Sequence, residues 1–230
     1  MGETTAIPKI NSLDDLRPGD LLFTNIGGLV PGVFPVGVGQ LMLGERVRIG
    51  RLTVDHVGVV VDQRDQLGAP RLVQAMPRGA EEIEMTEERH WNERCAYVRL
   101  PEDYLGQAQQ AANVARLMAL IDTPYSFASY AALALWRYGV KTPRLEAWID
   151  RRTPEIGASW PTEWITPGVM QYGLPCEAIC SVLADQAWSL AGKRVVSGVS
   201  PQAVTPGKLA LNVMPWRRPG VVWGGLGFFG

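Results

Sequence analysis

Two residue types in this 230-residue chain could share a nucleophilic reaction: the cysteines Cys95, Cys176 and Cys180, and the histidines His56 and His90. A thiolate attacks carbonyl carbon, an imidazole within hydrogen-bond reach takes its proton, and a third polar group fixes the imidazole tautomer. Cys180 lies in the stretch Leu174 to Trp188, where Pro175 followed by Glu177 suits the start of a helix. That spacing predicts Cys180 about one turn inside, near the positive end of the helix, where backbone N–H groups favour thiolate over thiol. Such a thiol would alkylate rapidly near neutral pH. A second reading is open, because Ile179, Leu183, Ala187 and Leu190 recur at helical spacing beside a stripe of small residues at Cys176, Cys180, Ala184, Ala187 and Ala191. A cysteine on such a stripe is usually packing. Cys176, one turn earlier, is the rival thiol.

His56 stands in Val54-Asp55-His56-Val57-Gly58-Val59-Val60-Val61-Asp62, the clearest strand of the chain because β-branched residues fill most of its positions. A histidine there is either a base held in a wall of the site or a core residue bonded to backbone. His90 sits beside Glu87, Glu88 and Arg89 and reads as part of a solvated face. On the following strand Gln74 lies between Val73 and Ala75. From an antiparallel neighbour its amide could orient the imidazole, or it could face water on an edge. The backbone N–H of Cys180 is the natural first oxyanion donor. Three cysteines without CxxC spacing and only two histidines suggest neither a zinc site nor a disulfide framework, so no metal and no cofactor is called for.

The elements that must carry these residues can be read in order. Ser12 to Leu16 makes a short capped turn, Arg17-Pro18-Gly19-Asp20 redirects the chain, and Leu21 to Thr24 is the first core strand. Residues 25–44 hold no charge but are broken by Pro31, Pro35 and glycines, which predicts an apolar loop with a helical piece around Val38 to Leu43 rather than a membrane span. Arg71 to Met76 and Glu81 to Met85, joined through Pro77-Arg78-Gly79, spell an antiparallel hairpin. Thr86 caps a brief helix through Trp91, and Cys95 to Leu100 is another strand. Pro101-Glu102-Asp103 then opens a helix that Pro124 ends, with Leu105, Ala108, Ala112, Ala115, Leu117 and Ile121 on its apolar side. Further helices are expected over Ser126 to Tyr138 and Pro143 to Asp150, and a long irregular segment over 151–173.

Composition narrows the function classes. A 47% apolar and 20% charged chain is an ordinary globular protein. A net charge of −1 gives no general attraction to phosphate backbones, so nucleic acid is not expected as a partner. The N-terminus lacks the basic and apolar blocks of a signal peptide, which makes a cytoplasmic location the default, with cell-envelope action if another route delivers the chain. No linker or repeat divides the sequence. The expectation is one α+β domain over 1–230, with an N-terminal arm at 1–16 and an apolar tail at 215–230.

Six segments carry a resemblance. Pro18-Gly19-Asp20-Leu21-Leu22-Phe23, Asp55-His56-Val57-Gly58-Val59-Val60, Val73-Gln74-Ala75, Tyr125-Ser126-Phe127, Ile179-Cys180-Ser181-Val182-Leu183 and Val204-Thr205-Pro206-Gly207-Lys208-Leu209 follow one another as in the circularly permuted papain-like amidases. These are NlpC-type cysteine hydrolases, with the lecithin retinol acyltransferase group as permuted relatives. The resemblance implies a permuted papain-like α+β fold, an antiparallel sheet packed against helices, in which the histidine strand precedes the cysteine helix. It implies Cys180 as nucleophile, His56 as base, Gln74 as third member and Tyr125 as a neighbour in the oxyanion or substrate region. This sequence departs from the pattern in having an amide at the third position and Val182 where the family motif has glutamate. The implied activity is hydrolysis of an amide, such as a cell-wall peptide bond, or of an ester, through a thioester. Acyl transfer to a lipid-like substrate and an inactive binding or structural module of the same fold are the alternatives. Partners would be a small-molecule, peptide or lipid-like substrate, with membrane or protein contact through the 25–44 loop or the tail.

Overall fold

The computed structural model describes residues 12–24, 47–49, 52–62, 68–86, 90, 95–125, 144, 178–198 and 204–213. The expected N-terminal arm through residue 11, the 25–44 loop, the helices at 126–138 and, apart from Arg144, at 143–150, the 151–173 segment, Cys176 and the 215–230 tail lie outside them.

The fold is α+β, and its sheet has five antiparallel strands. The chain enters through a 3-10 turn, Leu13–Asp15, in which Ser12 Oγ accepts the Asp14 N–H at 3.2 Å. Gly19, at φ 87°, then makes the reversal. An added Cβ there would stand 2.8 Å from the Trp188 ring and 2.9 Å from Ala108 Cβ, so both the turn and the packing demand glycine. β1 (Leu21–Thr24) follows. A ribbon that sequence reading had not anticipated comes next, β2 (Val47–Ile49) paired with β3 (Leu52–Val54). The strand expected to begin at Val54 is thus divided. Val54 closes β3, Asp55 donates its N–H to Thr24 O, and β4 (His56–Asp62) begins at the histidine. β5 (Arg71–Met76) and β6 (Gly79–Glu84) form the expected hairpin, with Met76 opposite Gly79 around a two-residue turn. β7 (Cys95–Val98) completes the order β6-β5-β4-β1-β7, so the histidine strand is central.

Period-two alternation sorts the side chains onto two faces. Leu21, Phe23, Val57, Val59, Val61, Val73, Ala75, Ala96 and Val98 enter one core with α1 (Glu102–Leu120) and α2 (Cys180–Leu190). Leu22, Val60, Leu72, Cys95 and Tyr97 enter a second core with Leu13, Leu16 and Met85. α1 buries Ala111, Ala112, Val114, Ala115, Leu117 and Met118, while Leu105 and Ile121, expected on its apolar side, are exposed. α2 is covered on all sides. Only Ser189 is less than fully buried, and even Asp185 is sealed in, accepting the Val196 N–H at 2.9 Å and facing Arg194 at 3.4 Å. α3 (Pro206–Val213) starts at Thr205, whose Oγ1 accepts the Lys208 N–H. No helix among the described residues is long and apolar enough to cross a membrane.

Candidate active site

α2 starts later than its proline suggests. Ile179 is the N-cap, at φ −90° and ψ 165°, and Cys180 is the first helical residue rather than one turn in. The physical reason is a competing backbone partner. Ala178 makes a parallel bridge with Tyr125 and donates its N–H to Pro124 O at 2.9 Å, which holds the chain extended up to Ile179. Tyr125 is itself buried and meets the segment leading into the cysteine through backbone pairing. Ser181 then pins the helix start by donating from Oγ to Val204 O at 2.6 Å.

His56 and Gln74 come together. Their strands pair with Gly58 opposite Gln74, so His56 is the diagonal neighbour on the same face. Gly58, having no side chain, leaves room that the Leu72 side chain occupies. His56 Nε2 and Gln74 Oε1 are 2.9 Å apart, and Gln74 Nε2 donates to Glu81 Oε1 at 2.9 Å. The β4–β5 ladder has its last pair at Gly58 and Gln74. Just past it the Val57 N–H bonds to the Cys180 sulfur. The thiol thus approaches β4 from the helix side beside Val57, and among the described residues the His56 ring bonds to Gln74 and not to the sulfur.

Burial governs both proton equilibria. Desolvation pushes the Cys180 thiol from 9.0 up to about 12, and Asp55 adds to the rise, against the N–H groups of Val57, Ser181 and Cys180 itself. The expectation of a thiolate is therefore corrected. The helix start does favour the anion, but a sulfur with 0% exposure loses more from leaving water. A thiol at that value carries roughly a thousandfold less thiolate than an ordinary one near neutral pH, so rapid alkylation is not expected of this state. Desolvation likewise pulls the His56 imidazole down to about 4, although the bond to Gln74 acts the other way. The resting pair is neutral thiol and neutral imidazole.

The other histidine is not on a solvated face. His90 is buried, its Nδ1 accepts the Thr86 N–H at 3.0 Å, and its carbonyl accepts the Tyr97 hydroxyl. A capping role for the ring overrode the charged neighbours that suggested exposure. Sequence reading missed Glu81, although the hairpin register that follows from a turn at Pro77 and Arg78 sets residue 81 opposite Gln74. No group of three or more His, Cys, Asp or Glu that could hold a metal ion occurs among the described residues. No protein-family model, curated protein or solved structure matches the chain, so the case for the site stands on this geometry.

Proposed function

We propose that the chain is a cysteine hydrolase of permuted papain-like, NlpC-type architecture that cleaves an amide or ester through a thioester on Cys180. The observation that carries this reading is the triple arrangement: a thiol at the first residue of a helix, its sulfur on the N–H of Val57, and the preceding His56 bonded through Nε2 to Gln74. Because Nε2 is committed to Gln74, Nδ1 is the nitrogen that takes the thiol proton. As the proton moves, sulfur bonds to the substrate carbonyl carbon and the carbonyl electron pair moves to oxygen. Collapse breaks the bond to the leaving amine or alcohol, which receives the proton from Nδ1. Water, deprotonated by the same nitrogen, then attacks the thioester, the C–S bond breaks as the acid is freed, and the proton passes from Nδ1 back to the sulfur. With both partners neutral at rest, proton transfer accompanies attack rather than preceding it.

The complete burial of the sulfur favours a second reading, a binding or structural module of the same fold with Cys180 and His56 as core residues. Acyl transfer to an acceptor other than water would use the same residues as hydrolysis. Incubation with muropeptides and with acyl esters, followed by mass spectrometry of the protein and its products, separates the three. The expected result is an acyl adduct on Cys180, absent in Cys180→Ala and greatly reduced in His56→Ala, with release to water. Release only to an added alcohol or amine would make the protein a transferase. Absence of both adduct and release would favour the module.

A further inference from the structure

We propose that Glu81 is a positioning residue for His56, because its carboxylate fixes the Gln74 amide and, through it, the imidazole tautomer that leaves Nδ1 able to accept a proton. The inference rests on the hydrolase reading for its chemical purpose, but its geometry is independent of it. A carboxylate can only accept, so the Gln74 atom at 2.9 Å from Glu81 Oε1 is the amide nitrogen. The amide oxygen then faces His56 Nε2 at 2.9 Å, and since that oxygen also only accepts, the proton of the neutral ring sits on Nε2. Nδ1 is left with its lone pair. Were the amide reversed, its nitrogen would donate to Nε2 and the ring proton would reside on Nδ1, which could no longer accept a proton.

The arrangement also offsets what the third position lacks. A glutamine places no charge beside the imidazolium that forms as Cys180 attacks, but Glu81 places one a single amide further out. The neighbouring carboxylate has a different task. Glu82 points to the helix side of the sheet, where Arg71 meets it at 2.6 Å and Arg116 of α1 at 3.3 Å. Alternation along β6 thus gives one glutamate to the ion cluster and the other to Gln74.

Long-range nitrogen–proton NMR correlation of the imidazoles in the full chain tests this at neutral pH, with His56 and His90 told apart by His56→Gln. The ring of His56 should carry its proton on Nε2 in the wild type. Glu81→Gln should keep that tautomer, since its amide oxygen accepts the same bond, whereas Glu81→Ala should show a mixture. Thioester formation with an ester probe should fall roughly tenfold in Glu81→Ala, the low end for loss of an outer-shell partner, and recover in part in Glu81→Gln. A wild-type ring protonated on Nδ1, or a tautomer indifferent to Glu81→Ala, would overturn the role of Glu81. A tautomer that responds in a protein that is never acylated would leave that role standing and remove the hydrolase reading instead. Position 81 is exposed, so both variants should keep the fold.

Discussion

At the scale of single residues, the candidate dyad is held in its uncharged form by burial, and this links the site to stability. The unfolded chain takes up a proton on His56 near 6.5, whereas the folded chain does so only near 4. Stability contributed by the neutral ring is therefore complete above pH 6.5 and lost as pH falls toward 4, by up to about 3 kcal/mol. Urea unfolding followed across this range should show the loss in the wild type and a flatter profile in His56→Gln. Cys180 acts at the other extreme, its stabilising thiol form being lost only as pH rises from 9 toward 12. That His56 and Gln74 would meet was legible in the sequence because they stand in neighbouring strands, and Cys180 was one of only three cysteines to weigh beside them. Their protonation states were not legible, because solvent exclusion is set by everything packed around them.

Among the elements, β4 shows how one strand serves both the core and the site. Its odd-numbered valines face the helices, and its even positions run His56, Gly58, Val60 on the other side. A Cβ added at Gly58 would lie 2.9 Å from Leu72 Cδ1 and 3.0 Å from Val73 O, and the backbone oxygen cannot yield. Gly58→Ala should cost about 1–3 kcal/mol in urea unfolding, because Leu72 and the β5 backbone must shift to admit the methyl group. The strands and the hairpin were readable from alternation and turn residues. The start of α2 was not, because Pro175 and Glu177 are good local signals and the Tyr125–Ala178 bridge that overrides them is a contact between distant segments.

Across the whole molecule, a buried ion pair joins the N-terminal turn to the end of β7. Arg99 donates from Nε and Nη2 to the two oxygens of Asp20 at 2.9 and 2.7 Å, and from Nη2 to Asp15 O at 2.6 Å. Asp20 also accepts the Arg17 N–H at 2.9 Å. Asp20→Ala would leave a guanidinium uncompensated in the interior, and a loss of about 3–5 kcal/mol in urea unfolding is expected. Replacing both members, Asp20→Leu with Arg99→Met, should return much of that loss, because the pair must overcome its own desolvation. Nothing in the sequence announces this pair. Arg99 ends an apolar strand and Asp20 looks like a turn residue, and only the sheet order brings them together.

That order has a kinetic consequence. β1 is inserted between β4 and β7, and among the described residues its four residues link the hairpin side of the sheet to its other edge. The β4-β5-β6 meander closes short loops and can form early, but β1 must wait for two partners that lie well downstream of it. Cys180 arrives later still in the sequence. A growing chain therefore carries Cys180 as an ordinary solvated thiol until long-range docking is complete, so the raised proton affinity of that thiol belongs only to chains that have finished folding.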